Sequence, residues 1–96
     1  MKSNELNEIK SLIEEVASSL NKTQAKAPLT KLRVRIGSLR GKIDPYLLGK
    51  LTEAMNYSSE AAGRSGSKQH WLSQANESWL VFENGIEQVL EEQNNN

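Results

Sequence analysis

Apolar residues recur along this chain at steps of three and four, and that spacing limits what it can fold into. Leu6, Ile9, Ile13, Val16 and Leu20 keep the rhythm across the first segment. Side chains three and four apart share one face of a helix, so these five positions make a single apolar stripe. Ser3 stands where an N-cap belongs, and Glu5 lies in the first turn, where the helix dipole favours an acid. A helix is predicted over about residues 3–20. The stretch Asn21 to Pro28 (NKTQAKAP) is polar and ends in proline, so it reads as a connection.

The second segment fits two patterns. Leu32, Val34 and Ile36 alternate with Lys31, Arg33 and Arg35, as in a strand. Leu29, Leu32, Ile36, Leu39 and Ile43 also step by three and four without a break. The helical pattern covers more apolar positions, and a lone strand would have nothing to pair with. The prediction is a helix over 28–40, with Pro28 in its first turn and Gly41 as its stop.

Asp44-Pro45 is a cap followed by proline at the first helical position, and it opens a third helix over 44–62. Leu47, Leu48, Leu51, Ala54, Met55, Ser58, Ala61 and Ala62 form its face, and Gly63-Arg64-Ser65-Gly66-Ser67 is a turn. The fourth helix, over 67–92, carries Trp71, Leu72, Ala75, Trp79, Phe82, Ile86, Val89 and Leu90. A tail at 93–96 is expected to fray. Four amphipathic helices with short loops in 96 residues predict one all-α domain spanning 1–96, an antiparallel bundle with a long C-terminal helix.

Composition excludes several functions. Twelve Lys and Arg balance twelve Asp and Glu, which argues against a binder of nucleic acid or membrane surfaces driven by total charge. There is no cysteine, so disulfides and thiolate metal sites are ruled out. No apolar run approaches the roughly 20 residues of a membrane span. The start, Met1-Lys2-Ser3-Asn4-Glu5, leads into a charged helix rather than a secretory segment, so the expected location is the cytoplasm.

Catalytic motifs are missing. His70 is the one histidine, and no acid lies at helical spacing from it. No Glu-x-x-His pair, His-Glu-x-x-His motif or phosphate-binding glycine loop occurs. Glu83, Glu87 and Glu91 share a helix face at steps of four, a pattern that suits water better than a hard cation. The sequence therefore predicts no enzyme, no metal and no cofactor.

Two signals point to binding. Between Glu15 and Asp44 there is no acid but seven bases: Lys22, Lys26, Lys31, Arg33, Arg35, Arg40 and Lys42. By helical geometry Arg33 and Arg40 flank one side of the apolar stripe, and Lys31, Arg35 and Lys42 the other. Bases that bracket a seam in this way suit pairing with acidic neighbouring helices more than reading a groove. Their arginines also suit carboxylate or phosphate recognition. The second signal is Trp79-Leu80-Val81-Phe82. Four consecutive apolar residues must point all round a helix, and Leu80 and Val81 fall outside the stripe.

The expected function is a non-enzymatic helical interaction module. It would be an adaptor, a chaperone-like protein, an inhibitor or an immunity-type factor. Its partner-binding residues are Trp79, Leu80 and Val81, assisted by Arg33, Arg35 and Arg40, and its partner is a foreign protein or a second copy of the chain. The alternative is a nucleic-acid-binding or regulatory protein that uses residues 22–42. In size, helical content and lack of cysteine the chain resembles small bacterial or phage adaptor and chaperone-like proteins, and no motif narrows that resemblance.

Overall fold

Four α-helices follow one another in the computed structural model: α1 (Ser3–Ser18), α2 (Lys22–Leu39), α3 (Pro45–Ala61) and α4 (Lys68–Asn94). The structure describes residues 2–64 and 66–94, with side chains through residue 89. Among these residues there is no strand, and the fold is an all-α four-helix bundle. The two-way pattern at 32–36 resolves as helix: Leu32 and Ile36 are buried, while Val34 between them is 66% exposed. The expected frayed tail starts at residue 93, yet α4 continues through Asn94; residues 95 and 96 lie outside the described residues.

The connection expected at 21–28 is instead the first two turns of α2. Asn21 is the N-cap, and its Oδ1 accepts a hydrogen bond from Gln24 N at 2.7 Å. The Gln24 side chain reaches back and accepts from Leu20 N at 2.8 Å. These bonds satisfy two donors at the helix start. Ala25, Pro28 and Leu29 are buried, and their packing offsets the backbone bond that Pro28 cannot donate.

That early start also changes the end of α1. Ser19 and Asn21 take extended backbone to enter the cap, so α1 stops at Ser18. Leu20, expected as the fifth position of the stripe, turns outward and is 79% exposed. Ser19 is buried in its place, its hydroxyl donating to Glu15 O at 2.7 Å. At the other end, the N-cap of α1 is Lys2 rather than Ser3, with no side-chain cap bond.

The α3 start is the one predicted, with Asp44 Oδ1 accepting from Tyr46 N at 2.8 Å. Gly63 ends α3 at φ +76°, a backbone conformation that favours glycine. Its N–H donates to Ser19 O at 3.1 Å, and a Cβ there would meet Asn21 Cα at 3.1 Å. The α3–α4 corner is thus pinned to the α1–α2 corner.

The core joins the stripes of all four helices. Leu32, Ile36, Leu39, Leu51, Met55, Trp79, Phe82 and Ile86 are buried, as the periodicity predicts, and so is Leu12, which lies beside the first stripe. The four helices are not packed evenly. The most extensive contact is between α3 and α4, and α1 packs on both α2 and α3. By contrast, α4 touches α1 only lightly, and no contact joins α4 to α2 among the described residues. The longest helix is therefore carried almost wholly by α3. At ~1.5 Å per residue α4 spans about 40 Å, most of the molecule's 47 Å length.

Candidate interaction surface

Because α4 leans on α3 and away from α1, the seam between α1 and α4 stays open. A groove of about 160 Å³ runs along it. Its walls are Ile13 and Ala17 from α1 and Leu72, Ala75 and Trp79 from α4, with Ser58 of α3 also lining it. Lys10, Glu14 and Asn76 form the polar rim. The small side chains of Ala17 and Ala75 leave the space that larger residues would fill. Among the described residues one ion pair bridges the two helices: Lys10 Nζ lies 3.8 Å from Glu83 Oε2, which also accepts from Trp79 Nε1 at 3.2 Å.

Ser58 is fully buried, and its Oγ has no hydrogen-bond partner among the described residues. A buried unpaired hydroxyl is costly, and Ser58 differs in this from the buried Ser19 and Ser78, whose hydroxyls are both bonded.

The residues expected to bind a partner fall in different places. Trp79 is 5% exposed: it packs on Phe82 with ring centroids 5.3 Å apart and reaches the surface only as a groove wall. Leu80 and Val81 are 44% and 40% exposed. Successive helical residues are ~100° apart, so the two occupy different flanks of α4. Leu80 follows Trp79 toward the α1 side, whereas Val81 lies in the outer cleft between α4 and α3, with Lys50, Glu53, Tyr57 and Gln74. Val89, near the C-terminal end of α4, is also exposed.

The basic segment divides as the helical geometry predicts. Arg35 faces α1, and its Nη2 meets Glu8 Oε1 at 2.6 Å. Arg33 and Arg40 lie on the opposite flank, in a cleft of about 290 Å³ between α2 and α3 with Ile36, Gly37, Thr52 and Met55. No carboxylate pairs with Arg33 or Arg40 among the described residues. Among the described residues the acids of α4 do not compensate α2, because no contact joins the two helices.

A polar cluster ties α3 to α4. Lys50 Nζ donates to Glu53 Oε2 at 3.2 Å, and Ser78 Oγ donates to the same oxygen at 3.0 Å. The Lys50 bond, helped by that from Ser78, holds the Glu53 carboxyl below its usual range. The same bond, with the attraction of the carboxylate charge, holds the Lys50 amine above its own.

His70 is exposed at the start of α4 and packs edge-on against Trp71, with centroids 5.0 Å apart. Arg64 lies over the same Trp71 ring, 5.5 Å from its centroid, and pairs with Glu60 at 2.7 Å. Among the described residues no three His, Asp or Glu side chains gather as a metal site, and no helix is long and apolar enough to cross a membrane. The sequence-based reading missed the α1–α4 groove. Its signal was present in the small residues Ala17 and Ala75 within two large-residue stripes, but the opening depends on how the helices lean. In comparisons with known proteins, no family model, no curated protein and no solved structure matches this chain.

Proposed function

We propose that this chain is a non-enzymatic helical module, working in the cytoplasm, that binds another protein along α4. The observation that carries this reading is the exposure of Leu80 and Val81 on a helix that packs almost wholly on α3 and leaves its α1 side open. An exposed apolar side chain is ordinary on its own. Here two of them flank a helix whose α1 side is an open apolar groove walled by a tryptophan, and such a surface suits a partner's side chains. The partner is a second copy of the chain or a foreign protein of adaptor, client or target type.

The test is the double substitution Leu80→Glu with Val81→Lys. Substitutions at exposed positions usually change stability by no more than ~0.5 kcal/mol, so the helical circular dichroism and the melting temperature should be kept. Association, read as dimer by sedimentation velocity or as capture of the partner, should be lost, because the contact would have to bury two charges. Unchanged association in a folded variant would eliminate the α4 surface.

A second reading, in which the basic segment 22–42 binds nucleic acid or another polyanion, is favoured by one observation: Arg33 and Arg40 flank a cleft without a carboxylate between them. Phosphate binding weakens steeply with salt, whereas an apolar helix contact does not.

A further inference from the structure

The two basic flanks of α2 meet different neighbours. On one flank Arg35 and Lys42 face α1, which presents Glu5, Glu8 and Glu15 to α2. Glu8 and Glu15 are seven residues apart, so they share one helical edge, and Arg35 takes Glu8. On the other flank Lys22, Lys26, Arg33 and Arg40 step by four, seven and seven. None of these has a carboxylate within ion-pair distance among the described residues. We infer that the cleft on this flank, between α2 and α3, seats an acidic amphipathic helix of another protein. Two carboxylates seven residues apart on that helix pair with Arg33 and Arg40, and an apolar side chain between them lies over Gly37.

Charge is the first argument. The far wall of the cleft does not supply the missing acids. The two acids of α3, Glu53 and Glu60, are held by Lys50 with Ser78 and by Arg64. Toward α2 this helix offers Thr52, whose hydroxyl donates to Leu48 O at 2.9 Å, and the Ser59 carbonyl, which accepts from Lys22. Arg33 and Arg40 lie about 10 Å apart along α2. Acids seven residues apart on a helix laid alongside have the same separation, as Glu8 and Glu15 do on α1. The arginine fork pairs with a carboxylate through two bonds.

Shape is the second. Gly37 stands between the two arginines, one turn from each. It lies inside α2 without a positive φ, and a Cβ on it would meet nothing within 4 Å. Glycine weakens a helix interior, and nothing in the packing or backbone of this chain calls for it here. Its gap opens the cleft floor, where Ile36 and Met55 keep 5% and 7% of their surface. The methylene stems of the arginines add apolar walls. A partner's backbone can approach closely at a glycine, as a helix does when it is laid in a groove. A phosphate backbone has no apolar group for that floor, and no aromatic side chain lines the cleft for a base to stack on. The cleft is separate from the surface proposed on α4, because no contact joins α2 to α4 among the described residues.

The full chain, labelled with ¹⁵N, is titrated with a capped helical peptide of alanine and glutamine that carries two glutamates seven positions apart and a leucine midway. Saturable amide shifts centred on Arg33, Gly37, Arg40 and Thr52 are expected. With both glutamates replaced by glutamine, the peptide should bind roughly fivefold more weakly, the scale of two exposed ion pairs. Arg33→Ala with Arg40→Ala should match that loss. Gly37→Leu leaves every charge in place and should fold at least as well as wild type, yet it should prevent binding by filling the cleft.

Absence of saturable shifts, equal binding of the glutamine peptide, or binding that survives Gly37→Leu would overturn the inference. A single-stranded oligothymidylate is the second probe. Shifts at the same amides with it, where the acidic peptide gives none, would assign the cleft to nucleic acid and overturn the inference as well. Leu80→Glu with Val81→Lys should bind the peptide as wild type does, whether or not α4 is the association surface. Loss of peptide binding in that variant would place the peptide on α4 and remove the cleft.

Discussion

The Leu47 side chain sits directly over Gly85, with Cδ2 2.5 Å and Cγ 3.3 Å from where a Cβ on that residue would lie. Leu47 is the third residue of α3, and its partner is nine residues from the end of α4. The contact lets the two helices approach closely at the open end of their hairpin. It also marks where α3 runs out and α4 continues alone.

Gly85→Ala therefore sets two effects against each other. Alanine favours the helix by about 1 kcal/mol, and overpacking against Leu47 costs roughly 1–3 kcal/mol. Leu47 is half-buried and gives way in part, so the single variant should lose about 1 kcal/mol. In a Leu47→Ala background the same substitution should stabilise by up to ~1 kcal/mol. Urea unfolding of the four proteins measures the coupling. Strict additivity would show that the contact carries no energy.

Leu51 is fully buried between the stripes of the bundle. Leu51→Ala should cost ~2–5 kcal/mol, a large share of the ~5–15 kcal/mol that holds such a domain together. Thermal unfolding reads this as a fall in melting temperature of ten degrees or more, at roughly 4–8 °C per kcal/mol for a chain of this size. A melting temperature within a degree or two of wild type would place the seam elsewhere.

Asn21 tests the early start of α2. Asn21→Ala should cost ~0.5–2 kcal/mol, the usual worth of a cap, and should raise amide hydrogen exchange over residues 22–27. If exchange there is unaltered, Pro28 and its packing hold the first turns without the cap. Asn21 also shows where sequence reasoning stopped short. Asn21-x-x-Gln24 is a capping pattern, but a polar stretch ending in proline reads as a connection, because proline usually belongs in a first turn. Packing of Ala25 and Leu29 reversed that preference, which no local rule contains. Elsewhere the periodicity served for most of the core: Asp44-Pro45 opened α3, and the buried positions followed from steps of three and four, with Leu20 and Val89 as exceptions that are exposed. The exposure of Leu80 and Val81 was legible because four apolar residues in a row cannot share one face. The open seam between α1 and α4 was not, because it depends on the lean of α4 toward α3.

Glu53 makes stability depend on acid. Its folded pKa is held below the unfolded one by Lys50 and Ser78, so its contribution is present above the usual carboxylate range and lost as pH falls through the depressed value. Lys50 is raised, so its contribution is present below its usual value of 10.5 and lost as pH rises through the folded one. Glu53→Gln should therefore be less stable than wild type at pH 7, and the gap should close as pH is lowered toward 2. Denaturant midpoints across this range check it. A gap that is constant with pH would show that the Lys50–Glu53–Ser78 cluster acts by shape and not by charge.

The most direct measurement of the central claim compares two variants in one association assay. Leu80→Glu with Val81→Lys alters the exposed flanks of α4, and Arg33→Ala with Arg40→Ala strips the cleft between α2 and α3. Association is followed at low and high salt, by sedimentation for a second copy or by binding for a captured partner. The predicted result is loss of association in the α4 variant, retention in the arginine variant, and little change with salt. Loss in the arginine variant alone, with binding that weakens steeply as salt rises, would contradict the account and move the interaction to the basic segment.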